Sequence, residues 1–188
     1  MAEISFCSFD ETKSDVLLPQ MFEILSTNMS KIAPTGNSYE EDKKIWLSYM
    51  ETNLKRKQII LMYVGEVLAG YFQYILGECT VLIEEVEILP AYQRTLLFYR
   101  FLKYMSRIIP KNIKYAEAYI NKGNSDSQHI AQKLGLKIVG ENPNGHSFRY
   151  RGDFSSFKKY FSTFSAYLTA HNPRALSSCQ GAVFIQQS

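Results

Sequence analysis

Residues 80–109 read TVLIEEVEILPAYQRTLLFYRFLKYMSRII, a β-strand pattern followed by a proline, a short loop and a helical pattern. The strand is expected to end at Pro90, which has no N–H to donate to a sheet. From about Thr95 the apolar residues recur at helical spacing until a second proline stops the helix. The start of a helix presents unpaired N–H groups and a positive dipole end, which suits a phosphate. Gln93, Arg94 and Thr95 lie at that point, so this unit predicts an anion-binding loop.

Further elements flank this unit on both sides. Ser14 or Asp15 is expected to cap a first helix, and Ser38 with Glu41 forms a capping box for a second. Short turns join three strands into an antiparallel meander, and a helix then returns the chain to a strand parallel to the third. The strands are predicted at 3–9, 58–64, 67–76, 80–89, 114–120, 136–139 and 147–151. The order β-α-α-β-β-β-α-β-α-β-β predicts an α/β fold with a mixed, mostly antiparallel central sheet flanked by helices.

The C-terminal residues form a separate extension in this interpretation. Residues 1–152 are expected to fold as one domain, and residues 153–188 to follow it as a largely helical extension. Its apolar positions fall on one helical face: Phe154, Phe157, Phe161, Phe164, Tyr167 and Leu168. Such an amphipathic helix is expected to pack on the domain or on a partner subunit, and it would offer a contact for a homodimer.

Composition narrows the classes of function. Hydrophobic residues make up 46% of the 188 residues and charged residues 21%, which is typical of a globular protein with a core. The net charge of +3 is mild, and the basic run at 55–57 is interpreted as a solvated helix end, so no nucleic-acid partner is expected. The three cysteines and three histidines lack metal-ligand spacing, so no metal is expected. No apolar run approaches the ~20 residues that cross a bilayer, and residues 1–4 do not resemble a signal peptide. We therefore expect no membrane association and a cytoplasmic location.

Three carboxylates crowd the strand that precedes Pro90. Glu85 and Glu87 share one face by strand alternation, whereas Glu84 points to the other face unless a β-bulge resets the phase. A carboxylate in a half-dry cleft can act as a general base, for example towards an ammonium group. The alternative is that each is a solvated or ion-paired strand residue.

The same segment resembles the acyl-CoA-binding motif of the GNAT superfamily of N-acetyltransferases. In that family a strand ending near a proline is followed by Q/R-x-x-G-x-G/A and a long helix. Gln93 takes the first position of the motif, and Leu96 and Phe98 take the two small ones. Asn124, followed by AQKLGL at 131–136, resembles the asparagine, helix and K-L-G-F ending of the family. The order of elements over about four-fifths of the chain also matches the family fold.

This resemblance implies an N-acetyltransferase that moves an acetyl group from acetyl-CoA to a primary amine by direct attack. Acetyl-CoA is then a co-substrate, and the second partner is an amine-bearing molecule of unidentified type. The family's base commonly aligns with Glu84 or Glu85, and we favour Glu84 and then Glu85. Strand-edge N–H groups around 86–88 would hold the thioester carbonyl. The residues implied in binding acetyl-CoA are Val86, Ile88, Gln93, Arg94, Thr95, Leu96, Leu97, Phe98 and Asn124.

The departures from the family pattern keep a second hypothesis open. Family glycines let the loop backbone approach a pyrophosphate, whereas Leu96 and Phe98 must turn into the core or obstruct that site. Ala131 stands where the family often has a tyrosine that protonates the departing thiolate. Both features favour a GNAT-fold binding or regulatory protein with weak or no CoA binding. Tyr119 is expected to line the acceptor cleft or to belong to the core, and acceptor specificity is expected in the loop at 32–39 and the turn at 143–146.

Overall fold

A computed structural model describes residues 2–93, 95–156 and 159 of this chain. The strands are β1 (Ile4–Ser8), β2 (Gln58–Val64), β3 (Val67–Leu76), β4 (Thr80–Ile88), β5 (Tyr115–Asn121), β6 (Lys137–Glu141) and β7 (Ser147–Asp153). The helices are α1 (Ser14–Met29), α2 (Tyr39–Asn53), α3 (Leu96–Ile108) and α4 (Ser125–Lys133). Across the described ranges, no helix is both long enough and apolar enough to cross a membrane.

The seven strands form one sheet in the order β1-β2-β3-β4-β5-β7-β6. The pair β4–β5 is parallel because α3 crosses over between them, and the other neighbouring pairs are antiparallel. The closing hairpin places β7, rather than β6, beside β5. The predicted element order and the mixed, mostly antiparallel sheet are therefore confirmed.

Helices cover the sheet on two faces, which we call the α1–α2 face and the α3–α4 face. On the α3–α4 face, Phe101 of α3 and Tyr150 of β7 are fully buried in the larger apolar cluster. On the α1–α2 face, Met21, Met50 and Tyr71 are fully buried in the smaller cluster. Because β-strand side chains alternate, each cluster identifies which strand residues point to its face.

The start of α1 differs from the prediction. Asp10 caps a short 3₁₀ turn at Glu11–Lys13, where its carboxylate accepts from the Thr12 N–H at 3.0 Å. That turn runs directly into α1, so neither Ser14 nor Asp15 is the residue that caps this helical segment. At α2, by contrast, the predicted capping box is present, since the Ser38 side chain accepts from the Glu41 N–H and Glu41 accepts from the Ser38 N–H.

The basic run at 55–57 is not the solvated helix end that the sequence suggested. Lys55 and Arg56 are exposed, but the side chain of Lys57 is only 1% exposed. Lys57 precedes β2 and points inwards under α2, where it finds a carboxylate partner.

Only the first part of the C-terminal extension belongs to the described residues. β7 runs to Asp153, and Phe154 then packs into the cluster on the α3–α4 face with 6% exposure. The remaining positions of the predicted apolar face, from Phe157 to Leu168, lie outside the described residues, so the helix stays a prediction.

Candidate acetyl-transfer site

A cleft opens between β4 and β5. The two strands pair from Thr80 with Tyr115 only as far as Ile83 with Ala118, although β4 continues for five more residues. On its other edge β5 pairs with β7 along its full length, so beyond Ala118 the edge that faces β4 has no paired strand. We call the gap between residues 84–88 and residues 119–121 the splayed cleft.

One edge of the splayed cleft is the unpaired side of β4. The Leu89 N–H donates to the Ala69 carbonyl at 2.9 Å, which fixes the alternation of hydrogen bonds between β3 and β4. In an antiparallel ladder alternate residues point their N–H groups away from the partner strand. The N–H groups of Val86 and Ile88 therefore point towards the splayed cleft, and their role in holding a carbonyl stays a prediction.

A β-bulge brings the glutamates of β4 to one face. Gln73 pairs with Glu85 and Tyr74 pairs with Ile83, so Glu84 is the extra residue of β4. The bulge resets the alternation, and Glu84 joins Glu85 and Glu87 on the α1–α2 face instead of pointing away.

Glu84 is held by a buried ion pair. The Lys57 ammonium lies 2.5 Å from Glu84 Oε2, and Gln73 Nε2 donates to the same oxygen at 3.0 Å. The Glu84 side chain is 19% exposed, and Lys57 is also bonded to the Tyr49 hydroxyl at 3.2 Å. Burial lowers the pKa of Lys57, but the hydrogen bonds to Glu84 and Tyr49 outweigh it and raise the pKa overall. This lysine therefore stays charged, and Glu84 serves as its counter-ion.

Glu85 has a neutral partner instead. The Tyr71 hydroxyl donates to Glu85 Oε2 at 2.7 Å. Burial raises the pKa of Tyr71 well above its usual value, as does the charge of Glu85, so this donor keeps its proton. Burial also raises the pKa of Glu85, against the opposing effects of Tyr71 and the Lys57 charge. A carboxylate with a raised pKa is a stronger base than an ordinary one.

Glu87 links the strand to α1 and to the loop after Pro90. Asn28 Nδ2 donates to Glu87 Oε2 at 2.7 Å and to the Ile88 carbonyl at 3.0 Å. Gln93 Nε2 donates to Asn28 Oδ1 at 3.1 Å and to the same carbonyl at 2.9 Å. Burial, reinforced by the charge of Glu85, raises the pKa of Glu87 to about 8, although the hydrogen bond from Asn28 lowers it.

The loop after Pro90 leads into the capped N-terminus of α3. The Thr95 hydroxyl donates to the Tyr92 carbonyl at 2.6 Å and accepts from the Leu97 N–H at 3.2 Å. The remaining N–H groups of the first turn, at Leu96 and Phe98, have no partner within the helix by its geometry. Arg94, the other predicted residue of this loop, lies outside the described residues.

The two bulky residues in the motif adopt different positions. Leu97 is buried, and Phe98 is half-buried against the cluster on the α3–α4 face, so its ring turns towards the core. Leu96 is half-exposed at the first position of the helix. Of the two residues, only Phe98 packs against this cluster.

Two residues from the second part of the resemblance have structural roles. Asn124 caps α4, because its Oδ1 accepts from the Ser127 N–H at 3.0 Å. Ala131 is 4% exposed within the α3–α4 cluster, so this position offers no side chain to the splayed cleft.

The connection between α1 and α2 crosses towards the other side of the splayed cleft. A Cβ on Gly123, in the loop after β5, would lie 3.3 Å from the Ile32 carbonyl, so the two backbones approach closely there. Tyr119 is 44% exposed, which excludes the expectation that it belongs to the core. The loop at 32–39 and the turn at 143–146 remain predictions as determinants of the acceptor.

Sequence reasoning missed the residues that hold the glutamates: Asn28, Lys57, Tyr71 and Gln73. Each lies on a different element from its carboxylate, so no local pattern points to the pairing. A weak signal was present at Gln73, a polar residue in the middle of an otherwise apolar strand. In the described ranges no group of three or more His, Cys, Asp or Glu side chains is arranged to bind a metal.

No protein-family profile and no curated protein matches the amino-acid sequence. The fold, however, is similar to that of an acetyltransferase from Thermus thermophilus, with a TM-score of 0.64 and 15% identity over 81% of this chain and 99% of the other. It is also similar to the PaiA N-acetyltransferase from Thermoplasma acidophilum in complex with coenzyme A, with a TM-score of 0.60 and 16% identity over 80% and 99% of the two chains. A GNAT-family acetyltransferase from Staphylococcus aureus matches with a TM-score of 0.57 and 10% identity over 81% and 99%. The chain therefore has the GNAT fold that its sequence predicted.

Proposed function

We propose that this chain is an N-acetyltransferase that transfers the acetyl group of acetyl-CoA to a primary amine. The observation that carries the proposal is the splayed cleft. It begins where the pairing of β4 with β5 ends, next to the β-bulge at Glu84 and the neighbouring Glu85 and Glu87. The helix N-terminus at Thr95 lies at the end of the short loop that follows β4, and such an end suits an anion. A solved protein of similar fold holds coenzyme A, which supports the same ligand here.

The residues around the splayed cleft suit the parts of acetyl-CoA. The N–H groups of Leu96 and Phe98 in the first turn of α3 would meet the pyrophosphate, with Leu96 as the side chain that must move aside. The open N–H groups of Val86 and Ile88 would donate to the carbonyl oxygen, where they stabilise negative charge. Acetyl-CoA supplies an electrophilic thioester carbon and a thiolate leaving group.

The proton chemistry falls to the glutamates on the α1–α2 face. The sequence favoured Glu84 as the base, but its carboxylate is committed to Lys57 and Gln73. The contacts favour Glu85, whose partner is a neutral hydroxyl and whose pKa is raised. In this proposal Glu85 accepts the proton that the amine nitrogen loses on attack, and Glu84 holds Lys57 in place.

The experiment has a binding step and a kinetic step. We expect acetyl-CoA to bind in calorimetric titration with a dissociation constant below roughly 1 mM. We also expect Glu85→Gln to slow acetylation of a panel of amines by about 10²- to 10⁴-fold, as for the loss of a general base. The exposed Glu66, on the turn between β2 and β3, provides a control, and Glu66→Gln should leave the rate unchanged. Unchanged rates in Glu85→Gln would remove this residue as the base.

A second function is favoured by one specific observation. The half-exposed Leu96 side chain stands at the helix end that should receive the pyrophosphate, which suits a GNAT-fold binding or regulatory protein without CoA. Titration separates the two functions, because the absence of acetyl-CoA binding at millimolar ligand would refute the enzyme. Binding that tightens in Leu96→Gly would instead show that the site is used and that this side chain obstructs it.

A further inference from the structure

The face of the sheet that carries the glutamates of β4 continues onto β5 and β7. Leu82 of β4 lies in register with Glu117 of β5, so both side chains point to the α1–α2 face. Tyr119, two residues after Glu117, points to the same face. On β7, Tyr150 is buried on the α3–α4 face, so its neighbours Arg149 and Arg151 point to the α1–α2 face.

Those neighbours are two arginines that share a single carboxylate. Arg149 Nε and Nη2 donate to Glu117 Oε2 at 3.1 and 2.7 Å, and Arg151 Nη1 lies 3.0 Å from Glu117 Oε1. One carboxylate between two guanidinium groups leaves a formal charge of +1. Each guanidinium carries five N–H donors, and only some of them are used on Glu117. The Arg149 and Arg151 side chains are 39% and 38% exposed, so the remaining donors can reach a ligand.

An exposed aromatic ring lies between the acidic and the basic groups. Tyr119 pairs in register with Arg149 and flanks the splayed cleft, and it is 44% exposed. A ring in that position can pack against the connecting chain of a ligand.

The spacing follows from the sheet itself. Glu85 lies on β4 and Arg149 on β7, and β5 is the one strand between them. Two spacings between hydrogen-bonded strands correspond to about 10 Å, and the splay of β4 from β5 at Glu85 makes this figure a lower limit. The α1–α2 face thus presents a negative end and a positive end at a separation that suits one small ligand.

We propose that the amine acceptor also carries an anionic group, a carboxylate or a phosphate, about 10 Å or more from its nitrogen. The ammonium lies against Glu85, the anion is bound by Arg149 and Arg151, and the chain between them packs on Tyr119. This inference rests on the proposed function, since it names the class of acceptor. Arginine forks match the planar oxygens of a carboxylate and also those of a phosphate.

The test is calorimetric titration of three amines of equal chain length: octylamine, 8-aminooctanoate and 8-aminooctyl phosphate. The protein is titrated both alone and saturated with coenzyme A, so binding is measured without turnover. We expect at least one anionic amine to bind about tenfold or more tightly than octylamine. Comparison of the two anionic amines then identifies the preferred anion.

Substitution locates the anion site. Arg149→Gln should remove the preference for the anionic amines and leave the affinity for octylamine unchanged. Arg107 is exposed near the end of α3 on the other face, and Arg107→Gln makes the same charge change as a matched control. Equal affinity for all three amines, a preference that survives in Arg149→Gln, or no binding of any of them would overturn the inference. An Arg149-dependent preference in a protein that fails to bind coenzyme A would overturn the enzyme but keep the anion site.

Discussion

Replacement of Glu87 by glutamine should change how the stability of this protein depends on pH. The Glu87 carboxyl has its pKa raised from 4.5 to about 8, with burial as the main cause. In the unfolded chain the group titrates near its ordinary value. Between these two pH values the folded state holds a proton that the unfolded state has lost.

The sign follows from this difference in bound protons. The stability that Glu87 contributes is fully present below about pH 4.5 and is lost as the pH rises towards about 8. The difference of about 3.5 between the two pKa values corresponds to at most about 5 kcal/mol. Glu87 is half-buried rather than sealed from water, so we expect about half of that amount.

In Glu87→Gln this loss cannot occur, because the amide does not ionise. Its carbonyl oxygen can still accept the hydrogen bond that Asn28 Nδ2 donates to the carboxylate. The free energy of unfolding of the variant, relative to the natural chain, should therefore rise by about 2–3 kcal/mol between about pH 5 and pH 9.

The assay is urea denaturation of both proteins across that pH range, followed by far-ultraviolet circular dichroism. Glu66→Gln serves as the control, since this exposed carboxylate should give a difference that stays constant with pH. If the difference in the free energy of unfolding between Glu87→Gln and the natural chain is as independent of pH as that of the control, the reasoning is refuted. Glu87 would then have the same pKa in the folded and unfolded chains.

Three further substitutions test the packing around the site by urea denaturation. Lys57→Met should lower the free energy of unfolding by about 3 kcal/mol, because it leaves the partly buried Glu84 carboxylate without its cation. Lys55 is exposed, so Lys55→Met should change the free energy of unfolding by less than about 0.5 kcal/mol, and equal effects of the two variants would refute the ion pair. Gly70→Ala should lower the free energy of unfolding by about 2 kcal/mol or more, because its Cβ would clash with a backbone oxygen of β4. Gly140→Ala places its Cβ in open space, so an equal loss of stability in both variants would contradict the clash at Gly70. Ser38→Ala should lower the free energy of unfolding by about 1 kcal/mol, because it removes the capping box of α2. An unchanged urea midpoint in this variant would show that the capping box does not stabilise the protein.

Much of the fold was readable from local patterns. The strand and helix periods and the Ser38–Glu41 capping box each involve residues within a few positions of one another. The parallel pairing of β4 with β5 also followed, because a helical crossover between two strands of one sheet demands it. The C-terminal helix and the role of Arg94 remain predictions, since those residues lie outside the described ranges.

The chemistry of the candidate site depended on contacts between distant residues. The sequence alone placed three glutamates on one strand and the start of a helix shortly after that strand, because both features depend on residues close together in the chain. Only the tertiary structure decided which carboxylate meets a cation, since Lys57 lies 27 positions before Glu84 and Asn28 lies 59 before Glu87. It also set the bulge that turns Glu84 to the α1–α2 face, because a bulge is a mismatch in register with a neighbouring strand. Burial, partner and register are properties of the packed sheet, so they determine the proton affinity of the glutamates in a way that no single strand can.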